Sequence, residues 1–124
     1  MSSAARQHLR VEIVDGVAVV RFVDREIVES FGECNDAGEV GEQLYSLVDD
    51  GGYRKLLLNF SDVEFLSTAL LGRLIGLKRK VEKVKGRLIL CGLDHSRVLE
   101  AFRITGLDRV FEIHADEQVA LDRF

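Results

Sequence analysis

Three consecutive leucines, Leu56-Leu57-Leu58, lie between the glycine pair Gly51-Gly52 and the polar stretch Asn59 to Asp62. The apolar segment Lys55 to Phe60 is too short for an ordinary helix, and successive side chains of a strand point to opposite faces of a sheet. Both faces of this strand must therefore be covered, which predicts a position in the middle of a sheet with a layer packed on each side. A chain of 124 residues has room for one such core, so the expectation is a single domain over residues 1–124, with 1–8 as an N-terminal extension.

The segments around this strand have their own periods. Leu9 to Val14 alternates apolar and polar, Asp15-Gly16 supplies a two-residue turn, and Val17 to Val23 resumes with β-branched residues, which predicts a hairpin. From Asp24 to Asp36 the pattern dissolves into charge and glycine. Val40, Leu44, Leu47 and Val48 then recur at helical spacing until Gly51-Gly52. Leu70, Leu74, Leu77, Val81 and Val84 form the clearest stripe, widened by Leu71 and Ile75. Arg73, Lys78, Arg79, Lys80 and Lys83 fall on the solvated side of that wheel. The helix runs from about Ser67 to Lys85 and stops at Gly86. Arg87 to Cys91 reads as a second buried strand, parallel to the first and joined to it by this helix. Ser96 to Ile104 reads as a helix with Val98, Leu99 and Phe102 inward, Val110 to Ile113 as a short strand, and Val119 to Leu121 as a terminal helix. The order β-β-α-β-α-β-α-β-α predicts an α/β fold with a mixed β-sheet, an N-terminal β-hairpin and about four helices.

Charge and composition exclude several functions. A net charge of −4 argues against general attraction to nucleic acid or anionic lipid. The first residues contain neither a secretory leader nor a membrane span, which places the chain in the cytoplasm. Cys34 and Cys91 form no metal spacing and no disulfide framework and read as ordinary thiols. His8, His95 and His114 lie far apart and read as surface residues. Asp24, Glu26, Glu29, Glu33, Asp36 and Glu39 lack the calcium-loop pattern and read as a solvated loop. No phosphate loop, nucleophile elbow or close Ser/His/Asp arrangement occurs, so neither an enzyme nor a cofactor is expected.

Two segments carry a resemblance. Leu56 to Gly72, LLLNFSDVEFLSTALLG, resembles the signature of the STAS domain, the anti-sigma-factor antagonist family, in which a buried strand leads through a loop into an acidic-Ser-Ser/Thr-Gly-Leu-Gly turn opening a helix. Gly86 to Ile113 is similar to the remainder, most specifically at Thr105-Gly106-Leu107-Asp108-Arg109-Val110-Phe111. The resemblance implies a STAS-like sheet with helices packed mostly on one side. It also implies a regulatory domain that binds an anti-sigma factor resembling a serine/threonine kinase and releases it on phosphorylation.

Carried over by register, Thr68 takes the phosphoacceptor position, with Ser67 as the alternative. Asn59, Ser61, Asp62, Ser67, Thr68, Ala69, Leu71 and Arg73 become the expected partner-binding residues. Ser67 stands where the family has an acidic residue and Leu70 where it has the first glycine. Three alternatives stay open: hydroxyls that only cap a helix, a scaffold or oligomerising module without phosphorylation, and a small-ligand sensor using Asn59 to Asp62 at the strand ends. The sequence does not fix the oligomeric state.

Overall fold

The computed structural model describes residues 8–28 and 40–124. Cys34, most of the expected acidic loop and residues 1–7 lie outside the described residues. In chain order the elements are β1 (Leu9–Val14), β2 (Val17–Phe22), β3 (Glu26–Ile27), α1 (Val40–Asp49), β4 (Lys55–Asn59), β5 (Phe65–Leu66), α2 (Thr68–Lys83), β6 (Arg87–Cys91), α3 (Ser96–Ile104), β7 (Glu112–His114) and α4 (Glu117–Leu121). A single 3-10 turn, Leu107–Arg109, separates α3 from β7.

The main sheet has the order β1-β2-β4-β6-β7, with β4 in the middle as the leucine run requires. β1 and β2 pair antiparallel and the other neighbours pair parallel. The hairpin closes through Asp15 and Gly16, both at positive φ (51° and 81°), the backbone that a tight two-residue turn needs and that aspartate and glycine tolerate. Alternation along β4 divides the core in two. Leu56 and Leu58 join the larger cluster under α1, α2 and α3, while Leu57 faces Val17, Val19, Ile89, Cys91 and Ala120 under α4. Three helices thus cover one face and one short helix the other. Four phenylalanines brace the end of the core where the strands finish: Phe22 stacks on Phe60 at 4.8 Å, Phe60 meets Phe102 edge-on, and Phe102 meets Phe111.

Several expectations need correction. The structureless reading after Asp24 missed β3, which pairs in parallel with β5 and ties the segment before α2 in place. Val84 is not on the buried stripe: α2 ends at Lys83, Val84 is its C-cap, and its side chain is exposed. Leu99 lies on the outer side of α3, leaving Val98 and Phe102 as its buried residues. The last strand begins at Glu112, because the 3-10 turn takes up the chain before it and leaves Val110 exposed. His8 belongs to the fold and not to an extension. Its N–H donates to Gln43 Oε1 at 2.9 Å, its carbonyl accepts from Val23 N–H, and its ring pairs with Asp24. His114 is likewise no bare surface group, since its Nε2 lies 2.8 Å from Glu112 Oε2. Arg73 is only partly solvated. It packs on α1, 3.6 Å from Glu42 and over the ring of Tyr45.

Candidate protein-interaction site

The parallel strands β2, β4, β6 and β7 all end at one edge of the sheet, where Arg21, Asn59, Cys91 and His114 stand in register across neighbouring strands. The loops that follow β4 and β6 meet there. Asn59 organises the first of them: its Oδ1 accepts from the Ser61 N–H at 2.9 Å and from the Ser61 hydroxyl at 2.7 Å. The second must pass very close, because a Cβ on Gly92 would lie 2.8 Å from Asn59 Oδ1 and 2.9 Å from Ser61 N, and Gly92 also has a φ of +72°. Glycine is required there on both counts. The other end of the Asn59 amide donates to Glu117 Oε1 at 2.9 Å, and Arg21 grips both oxygens of Glu117 at 2.7 and 2.6 Å. One charged network therefore holds β2, the loop after β4 and the start of α4 together.

The chain then enters α2 under firm control. Glu64 N–H donates to the Arg25 carbonyl at 2.7 Å and Ser67 N–H to the Ile27 carbonyl at 2.9 Å, so β3 fixes the approach to the helix. Ser67 is the N-cap. Its backbone is extended and its Oγ accepts from the Leu70 N–H. Thr68 is the first helical residue and is exposed, and among the described residues its hydroxyl makes no hydrogen bond. The two adjacent hydroxyls thus differ in role, one spent on capping and one presented outward.

Of the other expected contact residues, Ser61 and Asp62 are exposed in the loop between β4 and β5 that leads towards this helix. Asn59 is half-buried and engaged in the network, while Ala69 and Leu71 are buried in the core and lie outside the accessible surface. Leu70, standing where the family pattern has glycine, is fully buried under the sheet. Sequence reasoning missed the residues that frame the site from elsewhere: Arg25, Glu64, Asp94, His95 and Arg97. Arg25, Ser61, Asp62, Glu64, Asp94 and His95 line an open recess of about 350 Å³ between the loop after β4 and the start of α3, which His95 caps, and Arg97 lies over the Phe65 ring at 4.8 Å. Every residue that lines the recess is polar or charged and the recess is open, a surface suited to complementary charges on a protein and poorly suited to enclosing an apolar ligand.

Cys91, at the same sheet edge, is buried. Burial, assisted by the carboxylates of Glu117 and Asp116, pushes its thiol up to about 12, so it is not a nucleophile at neutral pH. At the neighbouring strand, burial acting alone would raise the Glu112 carboxyl, but hydrogen bonds from His114 and Arg87 outweigh it and hold the group below its ordinary value. No helix among the described residues is long and apolar enough to cross a membrane.

A mixed sheet that presents a capped helix start and an exposed hydroxyl on a fixed, charged loop edge defines a small α/β domain. The chain belongs to the STAS domain family, whose model matches residues 8–120. It is 35% identical over 71 residues to a Thermotoga neapolitana protein assigned, as a TM1081 homologue, to the anti-sigma factor antagonists; the match takes in 57% of this chain and 62% of that protein's length. An anti-sigma factor antagonist from Mycobacterium paratuberculosis superposes with a TM-score of 0.70 at 27% identity, covering 93% of this chain and 91% of that one. The Bacillus cell fate determinant SpoIIAA, solved in its phosphorylated form, has the same fold, with a TM-score of 0.65 at 22% identity over 93% of this chain and 97% of that one.

Proposed function

We propose that this domain is a cytoplasmic anti-sigma factor antagonist that binds a kinase-like anti-sigma factor at the start of α2, and that phosphorylation of Thr68 ends the interaction. The observation that carries this reading is the division of labour between the two hydroxyls. Ser67 already caps the helix, so a phosphate on Thr68 removes no structural hydrogen bond. Placed at the first helical residue, it meets the positive end of the helix dipole, and the core beneath is untouched. The modified domain stays folded while its surface changes from a neutral hydroxyl to nearly two negative charges.

A partner seated on Ser61, Asp62 and Thr68 would have to desolvate that phosphate inside the contact, which costs several kcal/mol unless a cation pairs with it. The relatives named as anti-sigma factor antagonists, and the phosphorylated state of one protein of the same fold, support this reading. The carboxylate that the family pattern places before the acceptor is absent here, so the neighbouring Asp62 and Glu64 are the acidic groups available to a kinase. The test is to incubate the chain with its kinase-fold partner and ATP and map the modified residue by mass spectrometry. Phosphate on Thr68 is expected. An unmodified chain, or phosphate only on Ser67, contradicts the assignment.

A further inference from the structure

The cations of this chain are unevenly placed. Residues 78–87 carry six lysines and arginines and a single carboxylate, in a chain whose net charge is −4. Lys78 pairs with Glu82, Lys80 with Asp49 and Arg87 with Glu112. Arg79, Lys83 and Lys85 meet no carboxylate among the described residues, and neither do Arg54 and Lys55. The fold gathers these unpaired cations at one end. Lys55 opens β4 beside Arg87 at the start of β6, and the Arg54 carbonyl accepts from the Arg87 N–H at 2.8 Å. Gly86 passes so close that a Cβ on it would lie 2.0 Å from the same carbonyl oxygen. The last turn of α2 is thereby held against the start of β4, at the end of the sheet opposite Thr68. A helix of 16 residues, rising ~1.5 Å per residue, puts roughly 20–25 Å between the two ends.

At Lys85 the charge is kept against a backbone preference. The end of α2 is a Schellman motif, in which Gly86 N–H donates to the Val81 carbonyl at 2.8 Å and Lys85 N–H to the Glu82 carbonyl at 2.9 Å. The residue before Gly86 must then be left-handed, a position that glycine usually fills, and Lys85 fills it at a φ of +59°. Cations do suit the carbonyl end of a helix. Lys80 and Lys83 already meet that preference in the last turn, so it does not account for a lysine in strained backbone just beyond.

Val48, Asp49, Arg79, Lys80, Lys83 and Val84 line an open recess of about 460 Å³ between the ends of α1 and α2, and Val84 is 37% exposed there. Its floor is apolar and its rim is cationic. We infer that this end of the domain binds an acidic segment of a partner protein in which carboxylates alternate with apolar side chains. The carboxylates meet Arg79, Lys83 and Lys85, and an apolar side chain meets Val84. Nucleic acid and anionic lipid fit this surface less well. Each presents a continuous negative face, which would press on the exposed carboxylates Asp49, Asp50 and Glu82 at the same helix ends. Neither nearby aromatic ring offers a platform for bases, since Tyr45 lies under Arg73 and Lys80 and Tyr53 packs on the core. The surface is remote from Thr68, so the domain can hold this segment and the partner at the start of α2 together.

The test is fluorescence anisotropy of a fluorescein-labelled synthetic peptide of repeated Glu-Leu-Glu units, titrated with the full chain. Saturable binding is expected, weakening by about tenfold or more between about 50 and 500 mM salt. Arg79→Glu combined with Lys83→Glu should weaken binding by about tenfold or more. Lys85→Gly should weaken it by about threefold while the denaturation midpoint stays at or above the parent's, because glycine is at ease in left-handed backbone. That variant decides the matter if the double reversal folds poorly by circular dichroism. Peptides with glutamine for glutamate, or serine for leucine, should bind more weakly than the parent peptide. The inference is overturned if the Glu-Leu-Glu peptide does not bind at about 50 mM salt, if the folded variants bind it like the parent chain, or if either altered peptide binds equally well. Tighter binding of a duplex oligonucleotide or of phosphatidylserine vesicles also overturns it, as does self-association in sedimentation that the double reversal abolishes, which would give the surface to a second copy.

Discussion

Asn59 and Glu117, 58 residues apart in the chain, meet at 2.9 Å where the strands end, and Arg21 holds the same carboxylate from the other side. This contact links α4, on the lightly covered face, to the loop that leads into α2. Glu117→Ala leaves the half-buried Asn59 amide and the Arg21 guanidinium without their acceptor and is expected to cost about 1–2 kcal/mol. Glu117→Gln keeps an oxygen for Asn59 and should cost less than about 1 kcal/mol. Urea denaturation measures both, and hydrogen exchange should show faster loss of the Ser61 amide proton in the alanine variant. Equal midpoints for alanine and parent would show that the network does not hold the loop.

The packing of α2 is tested by a neighbouring pair. Leu74 is fully buried, so Leu74→Ala should lose about 2–5 kcal/mol. Arg73 sits over Tyr45 and beside Glu42, so Arg73→Ala should lose about 0.5–1 kcal/mol, more than an open surface position gives. Similar denaturation midpoints for the two variants would contradict the packing of this face.

Much of the architecture was legible because it rests on period. The leucine run demanded a strand covered twice, and the Asp15-Gly16 turn between alternating segments demanded a hairpin. Both are found in place. β3 and β5 are two residues each, too short to show any period, and they form because Ile27 and Leu66 bury against the core together. Val84 kept the spacing of the α2 stripe but fell beyond the last turn, where spacing no longer fixes direction. Arg73 was misjudged for a related reason: a helical wheel shows the angle from the core, not where a second helix overlaps the rim. The helix start itself was readable, whereas the Arg21 to Glu117 contact spans 96 residues and has no local signal.

Cys91 gives a pH dependence of known sign. Its folded-state value of about 12 lies above the 9.0 of a free thiol, so the unfolded chain ionises first. This contribution to stability is fully present below about pH 9 and is lost as pH rises from there towards 12. Cys91→Ala should flatten that part of the stability profile, measured by thermal melts in borate and carbonate buffers. The native thiol should also resist alkylation at pH 8 until the protein is unfolded. Rapid modification of Cys91 in the folded protein would contradict its burial.

Glu112 acts in the opposite direction. Its folded-state value is held below 4.5, so its contribution is present above that pH and is lost as the pH falls below it. Glu112→Gln should reduce stability at pH 7 and lessen its fall under acid. Parallel stability profiles for variant and parent between pH 6 and pH 3 would show that the pairing with Arg87 and His114 contributes nothing.

The central claim is that a charge placed at Thr68 decides partner binding. It is tested most directly by isothermal titration of the isolated kinase-fold partner with the parent chain, Thr68→Ala, Thr68→Glu and the same two substitutions at Ser67. Thr68→Ala should bind within about threefold of the parent, and Thr68→Glu should bind one to several powers of ten more weakly, each ~1.4 kcal/mol being tenfold. Ser67→Ala should lower stability by about 1 kcal/mol through loss of the cap. Binding of both glutamate variants as tightly as the parent, with each variant folded, would contradict the account.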